Sequence, residues 1–162
     1  MAAVDFFLKL DGIPGEAQDK KHGKSIDLQS WSWGEQQQGI SNIGGGSGAG
    51  KVSGGDLHFT MKVCCASPKL FLACANGEHI KEATLTCRKA GKEQLEFLKI
   101  KLTEILVSSY QTGGSGHSDI VPIDQVSLNF AKMEIEYHEQ SDTGASKGGT
   151  KANWDFKRNV GA

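Results

Sequence analysis

Most of the chain alternates apolar and polar residues with a period of two, the pattern of a β-strand with one face in a core. Residues 57–63 and 83–87 show it clearly, with an apolar residue at every odd position. A shorter alternation over residues 6–10 ends at 12–15, Gly-Ile-Pro-Gly, which is a turn sequence. The pattern therefore predicts a mainly β protein.

Three segments, residues 26–33, 95–107 and 126–137, begin in one alternating phase and finish in the other. A phase change without a turn predicts a β-bulge or a bend that carries the strand from one packed layer to another. Strands of this kind build barrels and orthogonal sandwiches. Residues 95–107 also fit one face of a helix, but the clean alternation within 98–102 favours a strand.

One segment has the signals of a short helix. Ser67 is placed to cap it, Pro68 takes the first helical position and Gly77 ends it. The predicted apolar stripe consists of Leu70, Phe71, Cys74 and Ala75. Such a helix would pack on the side or end of a barrel.

The fold prediction is a compact β-barrel of two sheets with bent strands and one short side α-helix. A length of 162 residues suits a single domain over residues 1–162. Residues 139–151 are interpreted as a polar connection before a last strand that carries Trp154 and Phe156.

Charge and apolar content set limits on the partners of the chain. The formal net charge is −1, from 18 Lys and Arg against 19 Asp and Glu, which gives no electrostatic reason to expect nucleic acid or membrane insertion. The N-terminus lacks the features of a signal peptide, and no stretch approaches about 18 apolar residues. We therefore expect a soluble protein made in the cytoplasm, which would need a signal-independent route to leave the cell.

The cysteines and histidines do not form a recognisable metal or redox motif. No Cys-x-x-Cys pair occurs, disulfides are possible but not indicated, and Cys74 and Cys87 fall inside apolar patterns as small buried hydrophobes. The five histidines lie far apart, and His58 and His138 fall on the polar phase of strands, where exposure is expected. We predict no metal and no cofactor.

The stretch 45–51, Gly-Gly-Ser-Gly-Ala-Gly-Lys, is similar to a phosphate-binding loop. However, Val52 stands where such a loop has the Ser or Thr that holds magnesium. The upstream segment 35–43 is too polar for a buried strand, and 52–56 breaks a helix. A dinucleotide-binding fingerprint over 44–49 is also not favoured, because it needs the same flanking strand and helix. A long flexible loop over residues 43–56 is favoured.

Two other groups of residues are candidate sites. His117 lies close to serines and an Asp in residues 112–119, but this glycine-rich stretch is interpreted as a solvated hairpin turn and not as a catalytic triad. Trp31 and Trp33 share one strand face, where a sugar or base platform is less favoured than packing in a core or subunit interface. We therefore predict no enzyme, and a structural or binding role.

Several motifs, spread in order over nearly the whole chain, match one known family. They are residues 11–22 (DGIPGEAQDKKH), 26–34 (IDLQSWSWG), 44–51 (GGGSGAGK), 67–68 (SP), 74–77 (CANG), 86–91 (TCRKAG), 107–115 (VSSYQTGGS) and 126–131 (VSLNFA). On these motifs the chain resembles the haemolysin-coregulated protein (Hcp) family, the tube subunit of bacterial type VI secretion.

The resemblance implies a non-enzymatic structural subunit that forms hexameric rings with a wide pore. Rings would stack into a tube that is expelled into a neighbouring cell and carries small effector proteins in its lumen. The implied partners are further copies of the chain, a spike protein of the VgrG type, a contractile sheath and its baseplate. The protein would thus be secreted without a signal peptide.

The resemblance also implies roles for particular residues. The extended loop would contact the adjacent subunit or ring. Its interface residues are Gly44, Gly45, Gly46, Gly48, Gly50, Lys51 and Val52. Ser32 and Ser115 match positions near the pore wall and are expected to contact cargo.

Overall fold

A computed structural model describes residues 4–37, 51–90, 94–140 and 146–161. The strands are β1 (Val4–Leu10), β2 (Ile26–Ser32), β3 (Glu35–Gln36), β4 (Ser53–Gly54), β5 (Leu57–Lys62), β6 (His79–Lys89), β7 (Glu96–Gly113), β8 (Ile123–Gln140), β9 (Ser146–Asp155) and β10 (Val160–Gly161). The helix α1 spans Ser67–Asn76.

Six antiparallel strands close into a barrel in the order β8–β5–β2–β1–β6–β7, because β7 pairs again with β8. Strands β9 and β10 extend the sheet beyond β8, whereas β3 and β4 form a separate two-stranded ribbon. The core inside the barrel includes fully buried Leu8, Phe59, Leu85, Leu102 and Leu128. The predicted mainly β barrel is confirmed, and residues 96–107 are strand, not helix.

Strands β7 and β8 change phase at one shared bend. The buried face of β7 passes from Leu102 to Ile105, and that of β8 passes from Phe130 to Met133. Leu102 lies opposite Met133 and Ile105 lies opposite Phe130. Between the two β7 positions, Glu104 has a φ of 56°, a left-handed conformation that is uncommon outside glycine. The predicted phase change is thus confirmed in both strands.

The phase change in β2 is a β-bulge. Its register against β5 shifts between Leu28 and Ser30. Leu28 is buried, and beyond the bulge the half-buried ring of Trp31 packs edge-on against Phe6, with 6.3 Å between the ring centroids. The extra residue bends the strand, as expected for a bulge.

Helix α1 lies at the predicted position, but the prediction that Ser67 caps it is wrong. Pro68 is in the first turn and Gly77 ends the helix with a left-handed φ of 69°. The residue before the helix is Ala66, with no side-chain capping bond. The Ser67 hydroxyl instead donates to buried Asp124 at 2.5 Å, because that carboxylate lies under the start of the helix and needs donors.

The buried stripe of α1 is also rotated from the predicted one. Leu70 and Ala73 are buried three residues apart, while Ala75 is exposed and Phe71 is 59% exposed. Phe71 instead leans edge-on against the Tyr110 ring, with 6.3 Å between the centroids. Among the described residues, the structure has no helix long and apolar enough to cross a membrane.

The predicted polar connection over 139–151 is wrong at both ends. Strand β8 continues to Gln140, and β9 already begins at Ser146. Strand β9 pairs with β8 through backbone hydrogen bonds, so it needs no alternating apolar pattern. Trp154 lies in β9 as predicted, whereas Phe156 lies in the following turn.

A buried cation holds the connection between β1 and β2 against the barrel. Arg88, only 3% exposed, donates two hydrogen bonds of 2.9 Å to Asp19 and one of 3.3 Å to Asp5. Its guanidinium also lies 4.8 Å from the centre of the Phe7 ring. The hydrogen bonds from Arg88 hold the pKa of Asp19 well below its ordinary value of 3.8.

Candidate functional site: a polar face on the barrel

Four adjacent strands of the barrel, β2, β5, β8 and β7, present polar side chains in two rows across the sheet. The first row is Ser32, His58, Ser127 and Ser109. The second row is Ser30, Thr60, Gln125 and Gln111. We call these eight side chains the polar face. Together with neighbouring residues they line a cavity of about 560 Å³.

The polar face owes its alignment to two bulges. In β2 the bulge between Leu28 and Ser30 brings Ser30 opposite Thr60. In β7 a second bulge between Val107 and Ser109 aligns that serine with β8. Because side chains alternate along a strand, each bulge moves the serine that follows it into the outward phase.

Hydrogen bonds between neighbouring strands order the polar face. The hydroxyls of Ser30 and Thr60 lie 2.6 Å apart, and His58 Nδ1 lies 2.7 Å from the Ser127 hydroxyl. Seven of the eight side chains are Ser, Thr or Gln, which carry donors and acceptors but no charge. The face can therefore form hydrogen bonds with a polar surface without a fixed electrostatic preference.

Two charged residues lie at the ends of the polar face: Asp56, directly before β5, and Lys62, the last residue of β5. Asp56 accepts hydrogen bonds from Asn129, at 2.9 Å, and from Ser108, at 2.7 Å. Lys62 is exposed at the opposite end of β5. The two charges are opposite in sign, so the face as a whole stays close to neutral.

The contact between His58 and Ser127 differs from the contact between a catalytic base and its nucleophile. The Ser127 hydroxyl is bonded to Nδ1, and among the described residues no carboxylate is bonded to Nε2 to orient the ring as a triad requires. Within the same part of the chain, no three His, Cys, Asp or Glu residues lie close enough to hold a metal ion. The arrangement is suited to binding.

The extended loop is described only at its base. The predicted interface residues Gly44, Gly45, Gly46, Gly48 and Gly50 lie outside the described residues. Lys51 is exposed. Val52 is half-buried in an apolar groove of about 350 Å³ that also contains Trp33, Trp154 and Phe156.

The base of the loop is a ribbon fixed to the barrel by aromatic rings. In the ribbon β3–β4, Gly54 lies opposite Glu35. The Trp33 indole N–H donates to the Gly55 carbonyl at 2.9 Å. A methyl group on Gly54 would lie only 2.7 Å from the Phe156 ring, so glycine allows this close approach. The strand that begins at Ser53 also takes the place of the helix that a phosphate-binding loop requires after its lysine.

Comparison with known proteins identifies the family. The chain matches the family described as "Type VI secretion system effector, Hcp" over residues 7–137. It is 47% identical over 162 residues to "Protein hcp1" of Pseudomonas aeruginosa, and the match covers 99% of both proteins. The chain belongs to the Hcp family.

Solved structures of the Hcp family share this barrel. The crystal structure of Hcp1 from Salmonella typhimurium is 38% identical, with a TM-score of 0.83 over 99% of this chain and 100% of that chain. A chain described as a type six secretion system protein is 29% identical, with a TM-score of 0.91 over the same shares. The protein is thus a type VI secretion system protein of the Hcp type.

The structure separates the two predicted cargo residues of this Hcp chain. Ser32 lies on the polar face, next to His58 across the sheet. Ser115 lies outside that face, in the exposed turn between β7 and β8. In the same turn His117 is exposed with a φ of 61°, as expected for a solvated hairpin turn.

Other candidate side chains of the Hcp barrel have packing roles. Trp31 and Trp33 both pack against the core, as the packing interpretation predicts. Cys87 is buried, which raises the pKa of its thiol to about 11, and Cys74 is half-buried. His138 is half-buried beside Glu136 and not exposed as predicted.

Sequence reasoning missed most of the polar face and the base of the loop. Among the eight residues of the face, the sequence predicts a cargo contact only for Ser32, and it predicts no more than an exposed position for His58. A signal was present for the base of the loop, since Gly54 and Gly55 form a glycine pair that only Asp56 separates from β5. The ring that requires Gly54, Phe156, lies about a hundred positions later, so only the fold reveals the contact.

Proposed function

We propose that this chain is a non-enzymatic structural subunit of the type VI secretion tube. It would form hexameric rings that stack into an expelled tube and carry small effector proteins in the lumen. The observation that carries this proposal is the polar face, a broad hydrogen-bonding surface on a closed barrel in a member of the Hcp family. In this proposal, the polar face is the wall of the lumen.

The chemistry of the polar face suits a carrier. A hydrogen bond exchanged with water contributes only about 0.5–1.5 kcal/mol, so a wall of Ser, Thr and Gln holds cargo by the sum of weak contacts. A surface without fixed charge also avoids strong repulsion of any one class of cargo. Cargo held in this way is released when the tube comes apart. Ser32 would contact cargo directly, and Ser115 would do so from its exposed turn.

The extended loop is proposed to contact the neighbouring subunit or ring. Its base is fixed to the barrel by Trp33 and Phe156, so the loop would leave the barrel in a defined direction. Lys51 is exposed where the described part of the loop ends. The proposed interface consists of Gly44, Gly45, Gly46, Gly48, Gly50, Lys51 and Val52.

The remaining parts of the proposal follow from membership in the family. The tube would end in a spike protein of the VgrG type and lie inside a contractile sheath on a baseplate. The single domain 1–162 would be made in the cytoplasm and secreted by the same system without a signal peptide. No nucleotide takes part, so ATP or GTP with magnesium is expected to leave the melting temperature unchanged.

Light scattering after size exclusion and negative-stain electron microscopy test the proposal. We expect ring-shaped particles with a mass close to that of a hexamer. Lys51→Glu should weaken the association of rings, while the matched charge reversal Lys20→Glu, at an exposed position outside the loop, should not. A strictly monomeric protein at high concentration would refute the tube proposal.

A further inference from the structure

The C-terminal end of helix α1 carries the only Asn-Gly pair of the sequence, Asn76 and Gly77. Because glycine has no side chain, its backbone nitrogen can approach the preceding side-chain amide closely. We propose that Asn76 is a site of spontaneous deamidation and that opening of the last turn of α1 sets the rate of this modification. Such a modification is independent of the proposed function of the chain.

The reaction uses only the chain and water. Hydroxide removes the proton of the Gly77 backbone nitrogen, which then forms a bond to Asn76 Cγ, and the side-chain nitrogen takes up a proton and leaves as ammonia. Water opens the resulting five-membered succinimide ring at one of its two carbonyl carbons. Attack on Cγ gives aspartate, and attack on the main-chain carbonyl carbon of residue 76 gives isoaspartate.

The folded structure favours attack on the side chain of Asn76. Asn76 is exposed, so water reaches its amide group. Its Oδ1 accepts a hydrogen bond of 2.9 Å from the backbone N–H of Glu78. Negative charge develops on this oxygen when its carbon is attacked, and a positioned N–H donor stabilises such a charge. The carbon that must be attacked is therefore already polarised in the folded chain.

The attacking nitrogen, in contrast, is held back while the helix is intact. The N–H of Gly77 donates to the Ala73 carbonyl at 3.1 Å, and Gly77 caps the helix with a left-handed φ of 69°. A nitrogen held in this way can neither lose its proton to hydroxide nor turn toward the side chain of Asn76. The bond to Ala73 must therefore open before the ring can form.

The last turn of α1 has little to hold it closed. The helix has only ten residues and no basic side chain in its last turn to interact with its dipole. Beyond half-buried Cys74, the side of the chain that faces water includes Ala75, Asn76 and Gly77. Helix ends with few buried contacts open at a much smaller free energy than the whole domain. Deamidation should therefore proceed in the folded protein, but more slowly than in the unfolded chain.

Deamidation would weaken the end of the helix. Either product places a carboxylate at the C-terminus of α1, where the helix dipole opposes a negative charge, and next to the carboxylate of Glu78. Isoaspartate also adds a methylene group to the backbone, which disrupts the cap geometry at Gly77. The modified chain should therefore open more readily at this end than the original one.

Mass spectrometry of the full-length protein in mildly alkaline buffer tests the proposal, because replacing an amide by an acid raises the mass. Peptide mapping assigns the gain to a residue and separates aspartate from isoaspartate. We expect the gain at Asn76 and its loss in Asn76→Gln, whose longer side chain would have to close a larger ring. Asn159 is an internal control, because it is exposed but is followed by the branched residue Val160. Protein unfolded in guanidinium chloride should react faster at Asn76 than folded protein.

Ala75→Gly tests whether helix opening sets the rate. Glycine at this exposed position of the last turn favours the open form, so deamidation should become about twofold to fivefold faster. The matched control Ala152→Gly, at an exposed position in β9, should react at the wild-type rate. Circular dichroism establishes that both variants are folded. No mass gain at Asn76 in the wild-type protein would overturn the site. Equal rates for Ala75→Gly and Ala152→Gly, or for folded and unfolded protein, would overturn the role of the helix end.

Discussion

Gly54→Ala tests whether the aromatic anchor positions the base of the loop. A methyl at this position lies 2.7 and 2.9 Å from two carbons of the Phe156 ring. Carbon atoms attract best at about 3.5–4.0 Å, so the ring or the ribbon must move by roughly 0.8 Å. The Phe156 ring is confined by the rings of Trp33 and Phe130, whose centroids lie 6.0 and 5.8 Å away. The backbone N–H of Phe156 also donates to the Ala131 carbonyl at 2.8 Å.

The expected magnitude follows from this confinement. Forcing extra atoms into a packed site costs about 1–3 kcal/mol. Gly54 does not have a positive φ, so alanine brings no backbone strain there. By restricting the unfolded chain, alanine stabilises by about 0.4–1 kcal/mol, which offsets part of the loss. We therefore expect the free energy of unfolding to fall by about 1–2 kcal/mol in total.

Gly34→Ala is the matched control. A methyl at Gly34 meets nothing within 4 Å, so this variant should be neutral or slightly more stable. Urea unfolding, monitored by circular dichroism, gives the free energies of unfolding of both variants. All proteins are measured at one concentration, because association adds to stability. The double variant Gly54→Ala, Phe156→Leu should recover part of the lost stability, because it removes the ring that the added methyl group meets. Equal midpoints for Gly54→Ala and Gly34→Ala would refute the reasoning.

Two further substitutions test buried polar contacts. Tyr110→Phe removes a 3.0 Å hydrogen bond to fully buried Asp124 and should cost about 1–3 kcal/mol in urea unfolding, while the control Tyr137→Phe, at a side chain 49% exposed, should change stability by less than about 0.5 kcal/mol. Equal losses would contradict this. Asp19→Asn should destabilise at pH 7 by weakening the contact with Arg88. Because the folded pKa of Asp19 is depressed, its contribution to stability is complete well above the ordinary value of 3.8 and is lost as the pH falls through that value toward the folded pKa. The difference between wild type and Asp19→Asn in urea midpoint should therefore shrink from pH 5 to pH 2, and a constant difference would show that the ion pair is not its source.

The strands could be predicted because the apolar phase was visible on both sides of each bend. In β7 the phase passes from Leu102 to Ile105, and in β8 from Phe130 to Met133. The sequence does not show that the two changes face each other, since this depends on the register of the pair. Their coincidence lets both strands bend together without losing their pairing.

The errors at helix α1 arose from contacts distant in sequence. Ser67 has the composition of a cap, but a buried carboxylate from Asp124 competes for its hydroxyl. An unbonded carboxylate inside a core costs more than an empty cap position, so the serine turns inward. The helical spacing places Phe71 in the apolar stripe, but the residues buried against the barrel are Leu70 and Ala73.

The polar face was only half predictable, because its two bulges leave different traces in the sequence. In β2, Trp31 marks the new apolar phase, so the outward position of Ser32 could be inferred. In β7 the apolar alternation stops at Val107. After the bulge, Tyr110 is the only aromatic or aliphatic side chain of the strand in the inward phase. Without the bulge after Val107, Ser109 would lie opposite Val126, one position from its actual partner Ser127. One extra residue in each strand thus decides whether serines line the outer surface, and a prediction of the polar face requires the register as well as the pattern.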